Sequence, residues 1–519
     1  MNRNAKDQQA LLIRLLVLLL MVVTYCAIPN ARPDFTRFNC HDSESYLALS
    51  YSLVHGLGYT RSMIPGADVP HTTWPPGVPV LMMPAVTFSG ERINWVILKE
   101  TMALLGITGV VLAWQLGRRW SGTTLGGDVV ALCVALNPLY WDFSHQVMAE
   151  LPLIVWMIGS VLLVDYCWAA RKPRWWEALA VGSVCGLGML IKGHAIGLIL
   201  APLAYVTGKQ NRSSNRLKTQ AALWIVFCLG FVIPFLGWVV RNSTVNATGF
   251  DGISQLRMLR AKDPCDANSP LMNATESISI AIANLRHHTI YAIPSQILPG
   301  LWFDATTSGK GSGWVYLLLT SFLIAATWPW RKRLFGMHLV IPPIFLLNIQ
   351  YALGGAARFW VPVSILMIIL IALEISCLVE KLGAVRAKAA FGILTVVLSL
   401  NLLFYVIRHE RQPYMPAEAW AEKAQFFRAV SQMDLQAIGV GTSNCHAFQL
   451  MTGLPAPMGT GKADLPCDHV VVRLDTGKVV LPEGAREVTK VFPWVLYALP
   501  RPLRASDLRS ACNDEPREH

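Results

Sequence analysis

Long apolar segments of about twenty residues recur along most of this chain and limit its fold more than any other feature. An apolar run of this length crosses a bilayer as an α-helix, because a helix satisfies its own backbone hydrogen bonds where water is absent. The 519 residues are 53% hydrophobic and only 15% charged, which is too apolar for a soluble chain of this size. The sequence therefore predicts an all-α polytopic membrane protein.

Lys and Arg gather in short clusters between the apolar runs, as the positive-inside rule predicts for cytoplasmic loops. Examples are GRRW at 117–120, RKPRWW at 171–176 and KQNRSSNRLK at 209–218. These clusters account for the formal charge of +12 at pH 7, so the chain is not predicted to bind nucleic acid. Placing them on the inner side gives about eleven spans, with the N-terminus inside and the C-terminus outside.

The predicted spans lie near residues 10–28, 94–116, 124–142, 147–169, 176–192, 194–207, 220–240, 313–329, 338–354, 359–379 and 389–407. The first is interpreted as an uncleaved signal anchor, because no small-residue cleavage site separates it from the polar segment that follows. The stretch 176–207 is predicted to form a tight hairpin, since a Lys and a His separate its two short apolar halves.

Three polar segments lie outside in this topology: 29–93, 241–312 and 408–519. They are long enough to form folded structure, including loop helices. Residues 1–407 are thus predicted to form a transmembrane domain. Residues 408–519 are predicted to form a small α/β domain outside the membrane, because short apolar runs alternate there with Gly and Pro. An oxidising compartment would permit a disulfide between Cys445 and Cys467.

Two acids stand where outer polar segments meet apolar ones. Asp42, in HDSESYLALSYSLV, is predicted to begin an amphipathic helix on the membrane surface, with Tyr46 on the same face and Glu44 pointing away. The alternative is a helix cap, because Asp and Ser accept hydrogen bonds from free helix amides. Glu150 opens the apolar run ELPLIVW, where a charge marks a functional site or caps the helix at the interface. Such acids serve general-base catalysis, metal binding or proton coupling.

Several motifs follow one another in a distinctive order within residues 10–380. They are HDSESYLALSYSLVHGLGY, WPPGVPVLMMPAV, GRRW, ALNPLYWDFSHQVMAELPLIVWMI, GLGMLIKGHAIGLILAPLAYV and ARFWVPVSILMIIL. Their order and membrane side resemble the GT-C superfamily of membrane glycosyltransferases, in the branch of protein mannosyltransferases and aminoarabinose transferases. The resemblance implies transfer of a sugar from a polyprenyl-phosphate donor to a lipid, glycan or protein acceptor. It also implies a site on the outer face of the membrane, with a bacterial inner membrane as the expected location.

The resemblance also implies roles for individual residues. Asp42 matches the family's first-loop acid, which would accept the proton of the acceptor hydroxyl during an inverting attack on the anomeric carbon. Glu150 stands where the family has a second acid, usually Asp, which orients the acceptor or holds a divalent metal ion. The departing lipid phosphate requires a cation. Arg358 matches the family's late Arg-aromatic segment, and Lys192 is a second candidate.

Each of these basic residues also has a simpler interpretation. Arg358 would be an interfacial side chain that reaches the headgroups, and Lys192 a loop lysine. The segment HTTWPPGVP resembles the family's Pro-Pro stretch, but it carries Thr and Trp where the aminoarabinose branch has an acid and a Lys. Phosphate binding then depends on His71, Lys192 or Arg358. Trp74 stacks on a sugar ring or anchors the loop at the headgroups.

Further candidates and one rival function complete the analysis. Asp142 and His145 lie close to Glu150 along the chain and are candidates to support it. His287 and His288 form a solvated pair or, with other ligands, a metal site. A transporter or flippase of a lipid-linked sugar would also place charges near the membrane faces, but it would show paired repeats, and the sequence shows none. The sequence therefore favours a transferase.

Overall fold

The computed structural model describes residues 41–60, 70–72, 74–90, 93–170, 173–206, 214–245, 270–287, 296, 335–349, 357–382, 384–411, 438–440, 466–473, 486–491 and 494–504. The predicted spans near 10–28 and 313–329 lie outside these residues, as do Cys445 and His288.

Backbone contacts divide the chain into two compact units. The first consists of Met1–Pro29, Pro75–Val78 and Glu100–His409, and the second of Asn30–Trp74, Pro79–Lys99 and Glu410–His519. The first unit contains most of the apolar helices. The second contains the helix His41–Val54, which lies in the first predicted outer loop, and a β-sheet.

The described α-helices are α1 (His41–Val54), α2 (Gly77–Ser89), α3 (Trp95–Ser121), α4 (Thr124–Ala135), α5 (Pro138–Phe143), α6 (Glu150–Ala170), α7 (Trp175–Leu187), α8 (Leu203–Val206), α9 (Ser214–Thr244), α10 (Ala274–His287), α11 (Phe335–Ile349), α12 (Val361–Lys381) and α13 (Ala384–Arg411). Three 3₁₀ segments accompany them: Gly188–Leu190, Gly193–Leu200 and Ala357–Trp360. Side chains define some starts directly. Thr123 and Asn137 cap α4 and α5 by accepting hydrogen bonds from the backbone amides of Gly126 and Tyr140.

Five of the described helices are long and apolar enough to cross a membrane. They are Trp95–Ser121, Glu150–Trp168, Lys218–Thr244, Arg358–Lys381 and Ala389–Val406. Each coincides with a predicted span, but the predicted number of about eleven spans is not confirmed. Shorter apolar helices occur at Gly77–Ser89, Thr124–Ala135, Trp175–Leu190 and Leu339–Asn348. The first of these lies within the predicted outer loop 29–93, where no apolar helix was expected.

Helix α12 is the most buried of the five candidate spans. In the apolar 18-residue stretch of α12, 83% is buried, whereas 6% of the corresponding stretch of α13 is buried. Helix α12 packs against α4 and α6, and its buried residues run without interruption from Val361 to Leu373. A helix that is apolar on all sides is stable in the centre of a protein or in contact with lipid. Helix α12 is therefore the centre of the first unit.

Helices α7 and α9 approach each other at two glycines. A Cβ on Gly182 would lie 2.1 Å from the Phe227 carbonyl oxygen, and one on Gly186 would lie 2.0 Å from the Phe231 carbonyl oxygen. Neither position has room for any side chain. Small residues four positions apart allow close packing of membrane helices, so these glycines fix how the two helices meet.

The helical structure is interrupted at Lys192, within the segment where a hairpin was predicted. Helix α7 continues into the 3₁₀ turn Gly188–Leu190, and Lys192 is extended with φ −161° and ψ 142°. The second half differs from the expected span at 194–207. It contains the 3₁₀ helix Gly193–Leu200 and the short helix α8. The 3₁₀ helix rises about 16 Å at about 2 Å per residue, roughly half of a bilayer core.

Helix α1 begins where the sequence predicts, but it is not a one-sided surface helix. Residues 43–50 are all buried, and Glu44, which was predicted to point away from the protein, is 3% exposed. The helix carries four serines, and all four are buried. The prediction of an amphipathic helix with one exposed face on the membrane surface is therefore wrong.

Two prolines, Pro75 and Pro76, directly precede α2, which begins at Gly77. Proline has no amide hydrogen to donate and is tolerated in the first turn of a helix. A Cβ on Gly77 would lie 2.5 Å from the Leu190 carbonyl oxygen. The start of α2 thus lies directly on the turn that precedes Lys192.

A four-stranded sheet lies in the C-terminal part of the second unit. Its strands are β1 (Ile438–Val440), β2 (Pro466–Arg473), β3 (Arg486–Val491) and β4 (Trp494–Arg504), in the order β1-β2-β4-β3. Strand β1 pairs parallel to β2, and the other pairs are antiparallel. The apolar runs HVVVRL and VLYAL contribute to β2 and β4, because β-branched and aromatic residues favour strands. Any helices of the predicted α/β domain lie outside the described residues.

Candidate functional site

Glu150 and Lys192 form a buried ion pair in the first unit. Lys192 Nζ donates a hydrogen bond to Glu150 Oε1 over 2.7 Å, and Glu150 is 1% exposed. Glu150 is the first residue of α6, where free helix amides favour negative charge. Lys192 reaches it from the extended break between two 3₁₀ segments. The other carboxylate oxygen, Oε2, is buried and accepts no hydrogen bond from the described residues.

Arg358 and Phe359 join this pair from the 3₁₀ turn before α12. Lys192 Nζ lies 4.5 Å from the centroid of the Phe359 ring, within the range of a cation–π contact. The Arg358 guanidinium carbon lies 5.3 Å from the same centroid. Arg358 also attracts Glu150 electrostatically. One carboxylate and one aromatic ring are therefore shared by two cations.

These four residues are named the Glu150 cluster: Glu150, Lys192, Arg358 and Phe359. Their charges sum to one net positive charge. Because charges interact more strongly in the protein interior than in water, two cations on one site favour an anionic ligand. A guanidinium offers two parallel N–H donors to phosphate, and an ammonium acts as a point charge beside it. The cluster is thus suited to a phosphate group.

In the second unit, Trp74 contacts two other predicted site residues. Its ring meets Tyr46 edge to face, with centroids 5.8 Å apart. Its backbone amide donates to His71 Nε2 over 2.8 Å, and its carbonyl accepts a hydrogen bond from the Tyr59 hydroxyl over 2.7 Å. An accepting ring nitrogen requires a neutral imidazole, so His71 is not a cation in this arrangement. Asp42 is half-buried in the first turn of α1.

Comparison with known proteins gives a family model and a set of similar structures. The model for dolichyl-phosphate-mannose-protein mannosyltransferases matches residues 75–238. The crystal structure of ArnT from Cupriavidus metallidurans bound to undecaprenyl phosphate has a TM-score of 0.62 and 14% sequence identity, covering 94% of this chain and 98% of that one. ArnT in the apo state has a TM-score of 0.58 at 14% identity, covering 95% and 98%. No curated protein has significant sequence similarity to the chain.

The chain has the GT-C fold. The archaeal oligosaccharyltransferase AglB from Archaeoglobus fulgidus, in complex with an inhibitory peptide and a dolichol-phosphate, is also similar, with a TM-score of 0.52 and 12% identity over 89% of this chain and 69% of that one. The GT-C resemblance of the sequence motifs is thereby confirmed. The matched family region contains Glu150 and Lys192, whereas Asp42 and Arg358 lie outside it.

Asp142 and His145 of this chain each form hydrogen bonds with residues near them in sequence. Gln146 Nε2 donates to Asp142 Oδ2 over 2.8 Å, and the Tyr405 hydroxyl lies 3.5 Å from the same oxygen. His145 Nδ1 donates to the Trp141 carbonyl oxygen over 2.8 Å. Both residues are buried, and their support of Glu150 stays a prediction.

Sequence reasoning missed two polar residues beside the Glu150 cluster. His194 was noted only as a break between apolar halves, and Asn348 was not considered. Their side chains are hydrogen-bonded over 2.6 Å, and Asn348 Nδ2 donates to the Phe359 carbonyl oxygen over 3.1 Å. An Asn inside an apolar run is costly and often marks an interhelical contact. That signal was available for Asn348.

A divalent metal remains a prediction for this chain. Within the part that the structure describes, no three His, Cys, Asp or Glu side chains converge as metal ligands. The side chains of His287 and His288 lie outside that part. The carboxylate of Glu150 is already paired with Lys192, so it offers an ion only its second oxygen.

Proposed function

We propose that this protein transfers a sugar from a polyprenyl-phosphate donor to an acceptor on the outer face of the membrane. The observation that carries the proposal is the Glu150 cluster, in which Lys192 donates a hydrogen bond to a buried carboxylate that Arg358 also attracts. Undecaprenyl phosphate and dolichol-phosphate, the lipids bound in two of the similar structures, are both polyprenyl phosphates.

The two cations would stabilise the leaving group. When the bond between the anomeric carbon and the phosphate oxygen breaks, negative charge grows on the lipid phosphate while the sugar becomes cationic. Arg358 and Lys192 would bind the phosphate oxygens, and Glu150 would hold Lys192 in place. The buried Oε2 of Glu150 would accept a hydrogen bond from a hydroxyl of the sugar or of the acceptor.

Asp42 would act as the general base. Its carboxylate accepts the proton of the acceptor hydroxyl, the hydroxyl oxygen bonds to the anomeric carbon, and the lipid phosphate leaves with the electron pair of the broken bond, which inverts the anomeric centre. The support is the position of Asp42 in the family's first-loop motif and in the first turn of α1. Tyr46 and Trp74, in edge contact, would offer aromatic surface to a sugar ring.

The loop charges support an outward-facing site, and the family resemblance supports a bacterial inner membrane as its location. The acceptor would be a lipid, a glycan or a protein. A divalent ion would bind beside the Glu150 carboxylate. Mass analysis of envelope lipids and glycans from cells lacking the gene would identify donor and acceptor together, because the missing product carries both.

The proposal is tested with radiolabelled polyprenyl-phosphate sugar in membranes that contain the protein. Wild-type protein is expected to transfer label and to release the lipid phosphate, whereas Asp42→Asn is expected to lose activity at least about 100-fold, the usual value of a general base. The matched control is Asp128→Asn, which alters an aspartate that accepts a hydrogen bond from Trp114 in α3. Donor movement across the membrane without release of lipid phosphate would instead indicate a flippase.

A further inference from the structure

His194 and Asn348 link two parts of the Glu150 cluster. His194 Nε2 and Asn348 Oδ1 are 2.6 Å apart, and Asn348 Nδ2 donates to the Phe359 carbonyl oxygen over 3.1 Å. His194 follows Lys192 by two residues, and Phe359 follows Arg358 directly. The two hydrogen bonds therefore connect the segment that carries one cation to the turn that carries the other.

The second hydrogen bond determines the direction of the first. A carbonyl oxygen can only accept, so the Asn348 nitrogen must face Phe359 and its oxygen must face His194. His194 Nε2 therefore carries the hydrogen and donates it. The nearby positive charge of Lys192 opposes a second positive charge on the ring. The arrangement therefore requires a hydrogen on His194 Nε2, and the charge of Lys192 favours the neutral ring.

Packing between the 3₁₀ helix and α11 brings the pair together. His194 and Gly197 are three residues apart in a 3₁₀ helix, so they share a face. Val340, Ile344 and Asn348 are spaced by four residues in α11 and also share a face. A Cβ on Gly197 would lie 2.3 Å from the Val340 carbonyl oxygen and 3.0 Å from the Ile344 side chain. The missing side chain allows the backbones to approach until His194 reaches Asn348.

We infer that His194 and Asn348 are positioning residues that fix the Phe359 backbone and thereby the separation of Lys192 and Arg358. The consequence for catalysis rests on the proposed function, in which the two cations bind the donor phosphate. A displacement of about 1 Å at such a contact has a large effect on binding and rate. The pair therefore sets the spacing that a phosphate group must fit.

Hydrogen–deuterium exchange of the full-length protein in detergent tests the positioning without any substrate. Asn348→Leu is expected to raise exchange about fivefold in the peptide 357–363, the effect of one lost hydrogen bond. Asn348→Asp is expected to act alike, because it keeps the oxygen that faces His194 and loses the donor to Phe359. The matched control, Asn401→Leu, removes another buried asparagine, in α13, and should leave that peptide unchanged.

Two outcomes of the exchange experiment overturn the inference. One is unchanged exchange in the peptide 357–363 in both Asn348 variants. The other is an equal rise in Asn401→Leu, since that would reflect general loosening of the helices.

Donor kinetics distinguish positioning from a merely structural role. Asn348→Leu is expected to raise the donor KM about fivefold with little change in kcat. In an Arg358→Gln background the same substitution should have no further effect, because it acts through that cation. Additive losses in the double variant would contradict the inference. If the wild-type protein transfers no sugar, the proposed function fails, and the exchange experiment still decides the positioning.

Discussion

Lys192 and Glu150, 42 residues apart in sequence, form an ion pair whose two ends differ in exposure: the lysine side chain is 17% exposed and the glutamate side chain 1%. Loss of the lysine leaves a carboxylate buried away from water, whereas loss of the carboxylate leaves an ammonium that water can reach. Arg358 attracts the same carboxylate and compensates only in part. The two partners therefore depend on each other unequally.

The first prediction concerns this asymmetry. Lys192→Met is expected to lower the free energy of unfolding by roughly 3 kcal/mol, the cost of an unpaired buried charge. Glu150→Gln is expected to cost about 1 kcal/mol, because it removes one hydrogen bond to a partly hydrated group. Unfolding of the purified variants in detergent measures both values. A Glu150→Gln loss as large as that of Lys192→Met would show that the pair is not asymmetric.

Arg358 provides the second prediction. Arg358→Lys keeps the positive charge but loses the planar pair of donors, so the KM for the polyprenyl-phosphate donor is expected to rise about tenfold, as one charge-assisted hydrogen bond of roughly 1.5 kcal/mol implies. Initial-rate kinetics with varied donor give this value. The control is Arg386→Lys, which alters an exposed arginine in α13. A donor KM unchanged by Arg358→Lys would support the interfacial alternative for this residue.

A second buried ion pair, on the side predicted to be cytoplasmic, gives the third prediction. Arg119 Nε and the Tyr205 hydroxyl both donate to the Asp165 carboxylate, and the Arg119 guanidinium carbon lies 4.0 Å from the centroid of the Tyr166 ring. Arg119→Met is expected to destabilise the protein by about 3 kcal/mol, and Tyr205→Phe by about 1 kcal/mol. Thermal unfolding measures both. Because this network is separate from the proposed site, the donor KM should not change.

The glycine contact between α7 and α9 gives the fourth prediction. Gly182→Ala is expected to destabilise the protein by roughly 1–3 kcal/mol, because its Cβ would meet the Phe227 backbone and force the helices apart. Gly237→Ala, in α9 with no atom within 4 Å of its Cβ, is expected to stabilise by about 0.5 kcal/mol through lower backbone entropy. Opposite shifts of the thermal midpoint support the packing. A similar loss in both variants would refute it.

Sequence patterns predicted the helices best where the physical signal is local. Apolar runs long enough to cross a bilayer core predicted the spans that begin near Trp95 and Glu150. The burial of α1 was not predictable in this way. Its Ser-rich sequence has a weak apolar face, and whether such a helix is covered depends on the segments that pack around it.

For the candidate site, too, some features were predictable from the sequence and others only from the tertiary structure. The sequence by itself determined that the chain is a membrane protein, that acids and cations flank its apolar runs and that its motifs follow a GT-C order. Length, hydropathy and motif order are all properties of the linear sequence. Only the tertiary structure decided that Lys192 pairs with Glu150, that His71 is neutral and that Asn348 connects His194 to Phe359. The Glu150–Lys192 pair joins residues 42 apart in sequence, and hydrogen-bond geometry depends on positions in space that no local pattern encodes.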